Sequence, residues 1–81
     1  MTVKVLFFAK LREKMGVSEI NLVINQSVTL DEFQALIAAE YPVFEDLPQP
    51  IVIAINPEFA QSRQLVSNGD EVAFFPPVTG G

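Results

Sequence analysis

The candidate chemistry of this chain lies in its terminal segment, where an apolar run is followed by prolines and then by glycines. Phe74 and Phe75 close the apolar run, and Pro76–Pro77 fix φ and favour an extended exit from the domain. Gly80 and Gly81 lack a Cβ, so the terminal carboxylate stands on a slim end that can enter a narrow groove. Small residues are common at chain ends, so this pattern needs support from the rest of the sequence.

The composition removes most other kinds of active site. The 81 residues include no Cys, no His and no Trp. Disulfides, thiolate or imidazole metal ligands, and Cys or Ser-His-Asp nucleophiles are therefore excluded. We expect no metal site, and the terminal carboxylate becomes the leading candidate for chemistry.

The charge balance argues against two classes of partner. Five Lys and Arg residues stand against ten Asp and Glu residues, for a net charge of -5 at pH 7, which disfavours phosphate backbones and anionic membrane surfaces. We therefore expect neither nucleic acid nor a membrane as a partner. Four of the five cations lie near the start of the chain and predict a polarised surface: Lys4, Lys10, Arg12 and Lys14.

The sequence predicts a cytoplasmic location. Lys4 interrupts the early apolar run, so no signal peptide is visible. No stretch approaches the ~20 apolar residues that a membrane span requires.

Two strands with a short helix between them are predicted at the start of the chain. The runs at residues 3–9 and 20–24 are rich in β-branched and aromatic side chains, and we expect them to pair as a hairpin. A turn of helix around residues 11–15 is predicted between them and is ended by Gly16.

A capping box at Thr29–Glu32 predicts the main helix. The Thr29 hydroxyl can accept from the backbone of Glu32, while the Glu32 carboxylate accepts from the amide of Thr29. The helix is expected over about residues 30–41, where Pro42 stops it. Its apolar face is predicted to consist of Leu30, Phe33, Leu36, Ile37 and Tyr41.

Three extended segments follow the helix. Residues 51–55 are predicted to be buried on both faces at the centre of the sheet, residues 64–66 are a weaker strand, and residues 71–75 form the last strand. The order ββαβ(β)β predicts an α+β fold of the β-grasp, ubiquitin-like class, with a mixed sheet of four or five strands and one main helix packed across it. We expect residues 1–81 to form a single domain, with 76–81 as an extended tail.

Alternation in the first and last strands predicts an exposed apolar patch. Phe8 and Phe75 share faces with the charged residues Lys4 and Glu71, so both are expected to point away from the helix. Together with Phe59 they would form a patch beside the exit of the tail, of the kind that docks partners. A loop covering these rings is the alternative. The alternate residues are assigned to the core: Val3, Val5, Phe7, Val72 and Phe74.

Two segments carry a resemblance to a known family. The end of the chain, Asp70-Glu71-Val72-Ala73-Phe74-Phe75-Pro76-Pro77-Val78-Thr79-Gly80-Gly81, and the start, Phe8-Ala9-Lys10-Leu11-Arg12-Glu13 with Gly16, closely resemble the small subunits of molybdopterin synthase. The resemblance covers the whole chain, and its Phe-Phe-Pro-Pro-Val-Thr-Gly-Gly ending is far more specific than Gly-Gly alone.

The resemblance implies a sulfur carrier that binds no cofactor and is not an enzyme on its own. An adenylyltransferase similar to the one that primes ubiquitin would consume ATP to activate Gly81, which then becomes the thiocarboxylate 1-thioglycine. The large subunit of a heterotetrameric synthase would receive the tail and pass the sulfur to cyclic pyranopterin monophosphate. The tail residues implied are Pro76, Pro77, Val78, Thr79 and Gly80.

The resemblance also places Arg12 and Glu13 in a family motif beside the apolar patch. Arg12 is therefore a further candidate for partner contact. Judged from the residues alone, the two form a solvated pair at a helix end.

Other functions fit parts of the pattern. Sulfur carriers for thiamine thiazole or for tRNA thiolation share the fold and the Gly-Gly end, although the preceding Phe-Phe-Pro-Pro-Val argues against them. A ubiquitin-like protein modifier would use the same adenylate and finish as an isopeptide on a lysine. A plain binding module with an inert tail is the third alternative.

Overall fold

The computed structural model describes residues 1–56, 58–61 and 63–77. Two α-helices are present in these ranges, α1 (Ala9–Met15) and α2 (Leu30–Glu40), and a short 3₁₀ helix, Pro42–Asp46, follows α2. The strands, in chain order, are β1 (Thr2–Phe7), β2 (Glu19–Val23), β3 (Val28–Thr29), β4 (Val52–Ile55), β5 (Glu58–Phe59), β6 (Leu65–Val66) and β7 (Glu71–Phe75).

Five of these strands form one mixed sheet in the order β2-β1-β7-β4-β5. The β1 and β7 strands run parallel, and the other neighbours run antiparallel. A parallel pair needs a long crossover connection, and α2 lies within it and packs into the core beneath the sheet. The predicted β-grasp fold and the predicted pairing of the first two strands are confirmed. The β3 and β6 strands pair separately, and neither β3 nor β5 was predicted.

The central strand of the sheet is β7, so the prediction that residues 51–55 occupy the centre is wrong. The β4 strand lies beside the two-residue edge strand β5, which pairs only with Ala54 and Ile55. Those two residues are buried, whereas Val52 and Ile53 are half-buried.

The first strand ends at Phe7, two residues before the predicted boundary. Ala9 has φ 52, a left-handed conformation that side chains disfavour, and it turns the chain directly into α1. The carbonyl of Phe8 accepts from Leu11 N at 3.1 Å, which holds this turn. Gly16 ends α1 with φ 77, as predicted.

The core residues predicted from strand alternation are all buried, with exposures of 2% or less for Val3, Val5, Phe7, Val72 and Phe74. The Phe7 and Phe74 rings stack with centroids 5.6 Å apart. Phe44, which the sequence did not single out, packs edge-on against both from the 3₁₀ helix. Such aromatic contacts are each worth about 0.5–1.5 kcal/mol beyond the area they bury.

One predicted member of the α2 core face is on the surface. Phe33 and Ile37 are fully buried, but Leu36 is 41% exposed. Neighbouring residues on a helix differ by ~100° in direction, so Leu36 and Ile37 cannot both point at the centre of the core. The helix is oriented to bury Ile37.

The capping box at the start of α2 is confirmed. Glu32 N donates to Thr29 Oγ1 at 3.2 Å, and Thr29 N donates to Glu32 Oε1 at 2.9 Å. The Thr29 hydroxyl also donates to Glu32 Oε1 at 3.0 Å. These backbone and hydroxyl bonds from Thr29 lower the pKa of the Glu32 carboxyl below its ordinary value of 4.5.

Thr29→Ala is expected to destabilise the domain by about 1 kcal/mol at neutral pH, because it removes the cap of α2. In a domain of this size such a loss lowers the thermal midpoint by about 4–8 °C. Because the folded pKa of Glu32 is depressed, the stability linked to its ionisation is present above pH 4.5 and is lost as the pH falls through the folded pKa. Thr29→Ala keeps the backbone N–H that bonds Glu32 and removes only the hydroxyl bond to its carboxylate. The difference between the two thermal midpoints should therefore narrow, without vanishing, as the pH falls below 4.5. A constant difference between them across that range would contradict this account of Glu32.

Candidate functional site

The face of the sheet opposite α2 divides into an apolar half and a polar half. Cross-strand partners carry their side chains on the same face of the sheet, so the strand register shows which residues share this face. Phe75 lies opposite Val52, and Ala73 lies between Leu6 and Ala54. In the polar half, Lys4 lies opposite Glu71 and Asn21. The apolar half, called the open apolar face below, consists of Leu6, Phe8, Val52, Ala54, Phe59, Ala73 and Phe75.

The centre of the open apolar face is a stacked pair of phenylalanines. The Phe8 and Phe75 rings have centroids 4.7 Å apart and planes within 5°. The left-handed turn at Ala9 fixes the position of Phe8, and Phe8 N donates to Phe74 O at 3.2 Å. Phe8 is 40% exposed and Phe75 is half-buried. The predicted exposure of Phe8 is therefore confirmed, while Phe75 is partly covered by the ring of its neighbour.

Phe59 extends the open apolar face to the edge of the sheet. Its side chain is 81% exposed, and β5 places it opposite Ala54. With Val52, Phe75 and Pro76 it lines a groove of about 260 Å³. An aromatic ring this exposed, next to an apolar groove, is typical of a surface that binds another protein.

The base of the tail leaves the sheet between two grooves. Pro76 lines the groove beside Phe59, and it also lines a second groove of about 410 Å³ with Pro77, Pro48, Ala9 and Lys10. Both tail prolines are half-buried, so the direction of exit is set by packing as well as by the fixed φ of proline. Val78, Thr79, Gly80 and Gly81 lie outside the described residues, and their predicted roles stay predictions.

Arg12 lies on the exposed side of α1. Its carbonyl accepts from Gly16 N at 3.0 Å in the C-cap of the helix, and its side chain is exposed with Lys10 and Lys14 on the same short helix. A cation in the last turn of a helix is favoured by the helix dipole. The structure gives Arg12 this local role, and its contact with a partner stays a prediction.

Two other kinds of feature are absent from the part of the chain that the structure describes. Within residues 1–56, 58–61 and 63–77, no group of three or more acidic, His or Cys side chains is arranged to hold a metal ion. In those same ranges, no helix has the length and apolarity needed to cross a membrane.

Comparison with known proteins gives the family. The model of the ThiS family matches residues 5–81. This chain belongs to the ThiS family. Its relatives include the molybdopterin synthase sulfur carrier subunit of Chlamydomonas reinhardtii, which is 36% identical, with both chains covered completely.

Solved structures similar to this ThiS-family chain include a modifier protein and a subunit of a converting factor. SAMP1, the small archaeal modifier protein 1 of Haloferax volcanii, superposes with a TM-score of 0.87 at 26% identity, covering both chains completely. A chain from the complex of subunits 1 and 2 of molybdopterin-converting factor from Helicobacter pylori superposes with a TM-score of 0.70 at 26% identity, again over both whole chains.

Sequence reasoning missed part of the open apolar face in this ThiS-family chain. Val52 was assigned to a strand buried on both faces, and Pro76 was treated as tail alone, yet both line the groove beside Phe59. Val52 lies two residues before Ala54 in β4, so the two side chains share one face of the sheet. That spacing indicates an open face once β4 is known to lie between β7 and a short edge strand.

Proposed function

We propose that this chain is the sulfur carrier subunit of a molybdopterin synthase. Gly81 is adenylated, converted to a thiocarboxylate, and donates its sulfur to cyclic pyranopterin monophosphate in molybdenum cofactor biosynthesis. The observation that carries the proposal is that the open apolar face is continuous with the base of the tail through Phe75 and Pro76. Membership of the ThiS family and a full-length relative named as such a carrier subunit support it.

The chemistry needs only the terminal carboxylate of this chain. A carboxylate is a poor electrophile at neutral pH, but its attack on the α-phosphate of ATP releases pyrophosphate and leaves an acyl-adenylate. A sulfur nucleophile then displaces AMP, and the resulting thiocarboxylate is strongly nucleophilic. The chain thereby carries sulfur without any cysteine, in agreement with its composition.

Catalysis falls to the partners in this proposal. An adenylyltransferase similar to ubiquitin-activating enzymes supplies the ATP-dependent step, and the large subunit of the synthase supplies the active site. Phe8, Phe59 and Phe75 hold those partners, and residues 76–80 span the distance to the reacting centre. Their fixed φ angles let Pro76 and Pro77 lose less entropy when the tail enters a groove.

Reconstitution with purified large subunit and precursor tests this function. The thiocarboxylate form of the chain, about 16 Da heavier than the carboxylate form, is expected to convert precursor to the dithiolene product, and the carboxylate form is expected to be inert. Equal inertness of both forms, with the complex assembled, would rule out the carrier role.

A second candidate function is covalent modification of other proteins. Its support is the similarity to SAMP1, whose name describes a modifier. The same adenylate would then form an isopeptide with a target lysine. Intact-mass analysis of the protein isolated from cells separates the two functions, since conjugation gives a ladder of heavy adducts that are absent when Gly81 is deleted.

A further inference from the structure

The turn between β6 and β7 contains a chemically reactive dipeptide, Asn68–Gly69. Glycine lacks a Cβ and so leaves its backbone nitrogen open to approach by the preceding side chain. The turn is held against the start of β1 by two hydrogen bonds. Asn68 Oδ1 accepts from Thr2 N at 2.9 Å, and Gly69 N donates to Thr2 O at 2.9 Å.

We propose that Asn68 is a deamidation site whose reactivity is controlled by the main chain of Thr2. In the reaction, the backbone nitrogen of Gly69 loses its proton and bonds to Cγ of Asn68. The Cγ–Nδ2 bond breaks, and ammonia leaves with that proton. Water then opens the cyclic imide at one of its two carbonyls and gives aspartate or isoaspartate, with no change in oxidation state.

Both reacting groups are restrained by Thr2 in the folded chain. The bond from Thr2 N holds the Asn68 carboxamide toward β1, and the bond to Thr2 O keeps the proton on the Gly69 nitrogen. Attack requires the carboxamide to rotate and the nitrogen to lose that proton. Closure of the imide therefore requires both bonds to open.

The restraint lies at the end of the β1–β7 ladder, while Thr2 is paired with Val23 of β2 on its other side. The paired β1–β7 ladder begins at Lys4 and Glu71, so Thr2 lies beyond its first pair, and Met1 beside it is 46% exposed. Strand ends open locally at a much lower free energy than the whole domain unfolds. The site lies at the opposite end of β7 from the tail.

Two substitutions at one position separate the main-chain role from the side-chain role. Thr2→Pro removes the N–H that donates to Asn68 and suits the first residue of a strand, while Thr2→Ala keeps that N–H. During incubation at 37 °C and pH 7.4, peptide mapping should show Asn68 deamidating about two- to tenfold faster in Thr2→Pro, the factor that one hydrogen bond is worth. Thr2→Ala should match the parent.

Equal rates in all three proteins would overturn the proposal, as would acceleration by Thr2→Ala to the level of Thr2→Pro. Thermal midpoints establish that the variants are folded. If Thr2→Pro does not fold, the test is the deamidation rate of Asn68 in the parental protein, compared between native conditions and urea. The proposal requires the rate to be lower in the native chain. An equal rate in those two states would also overturn the proposal.

Discussion

Gly81→Ala is expected to abolish sulfur transfer while leaving the domain folded. Acyl transfer requires the reacting atoms to approach within ~3.5 Å, and a misplacement of ~1 Å can cost about 10²-fold in rate. A methyl group on residue 81 holds the terminal carbonyl away from the wall of a narrow groove. We therefore expect at least about a 10²-fold loss of synthase turnover, measured with purified large subunit and precursor, and an unchanged thermal midpoint.

Two measurements locate the defect in Gly81→Ala. The intact mass after incubation with the activating enzyme, ATP and a sulfur donor reports thiocarboxylate formation, and turnover of chemically prepared thiocarboxylate reports transfer. Val23→Ala is the control, because Val23 is 72% exposed on β2, in the polar half of the sheet face. A Gly81→Ala chain that is thiocarboxylated and turned over at the parental rate would show that the slender end is not required.

Phe75→Arg is expected to abolish binding to the large subunit. The ring stacks on Phe8 and lines the groove with Phe59, so a guanidinium there places a charge at the centre of the open apolar face. Central aromatic residues of an interface commonly contribute 2 kcal/mol or more, which corresponds to at least about a thirtyfold weaker Kd. Titration calorimetry with the purified large subunit measures this loss.

Phe75→Arg also removes a stacking contact, which is worth about 0.5–1.5 kcal/mol, so the thermal midpoint should fall by several degrees. Val23→Arg is the control in the polar half of the same sheet face, at a site about as exposed as Phe59, and should bind like the parent. Phe59→Arg provides the complementary case, since Phe59 is 81% exposed and its loss should weaken binding with little effect on stability. Unchanged binding by Phe75→Arg, or its failure to fold, would contradict the assignment of Phe75 to a docking surface.

Local periodicity predicted the buried residues of β1 and β7 well, because each of these strands has one buried face and one open face. In β1 and β7 the alternating residues are all buried as predicted, since a shift of one position would move every apolar side chain to the solvent. The position of β4 was not predictable in the same way. Its apolar run is equally compatible with the centre of a sheet and with the position beside an edge strand, and only the pairing with β5 decides.

The candidate site was predictable where it depends on strand alternation and not where it depends on packing. Phe8 was assigned to a strand, yet its ring is placed by the left-handed turn at Ala9, and no residue type at that position signals such a turn. The stacking on Phe75 follows from that turn. Leu36 shows the same limit, because the orientation of α2 about its axis is set by the whole core.

The parallel pairing of β1 with β7 determines how the domain bears mechanical load. Traction applied at Pro76–Pro77 acts along β7, which is bonded to β1 on one side and to β4 on the other. Because the two terminal strands run side by side in the same direction, pulling on the opposite ends of the chain loads their hydrogen bonds together in shear, instead of peeling them apart one by one. Forced unfolding is governed by the rate of crossing that barrier. A force applied at Pro76–Pro77 is therefore resisted by the hydrogen bonds of the β1–β7 ladder together, and we expect the sheet to stay intact under it.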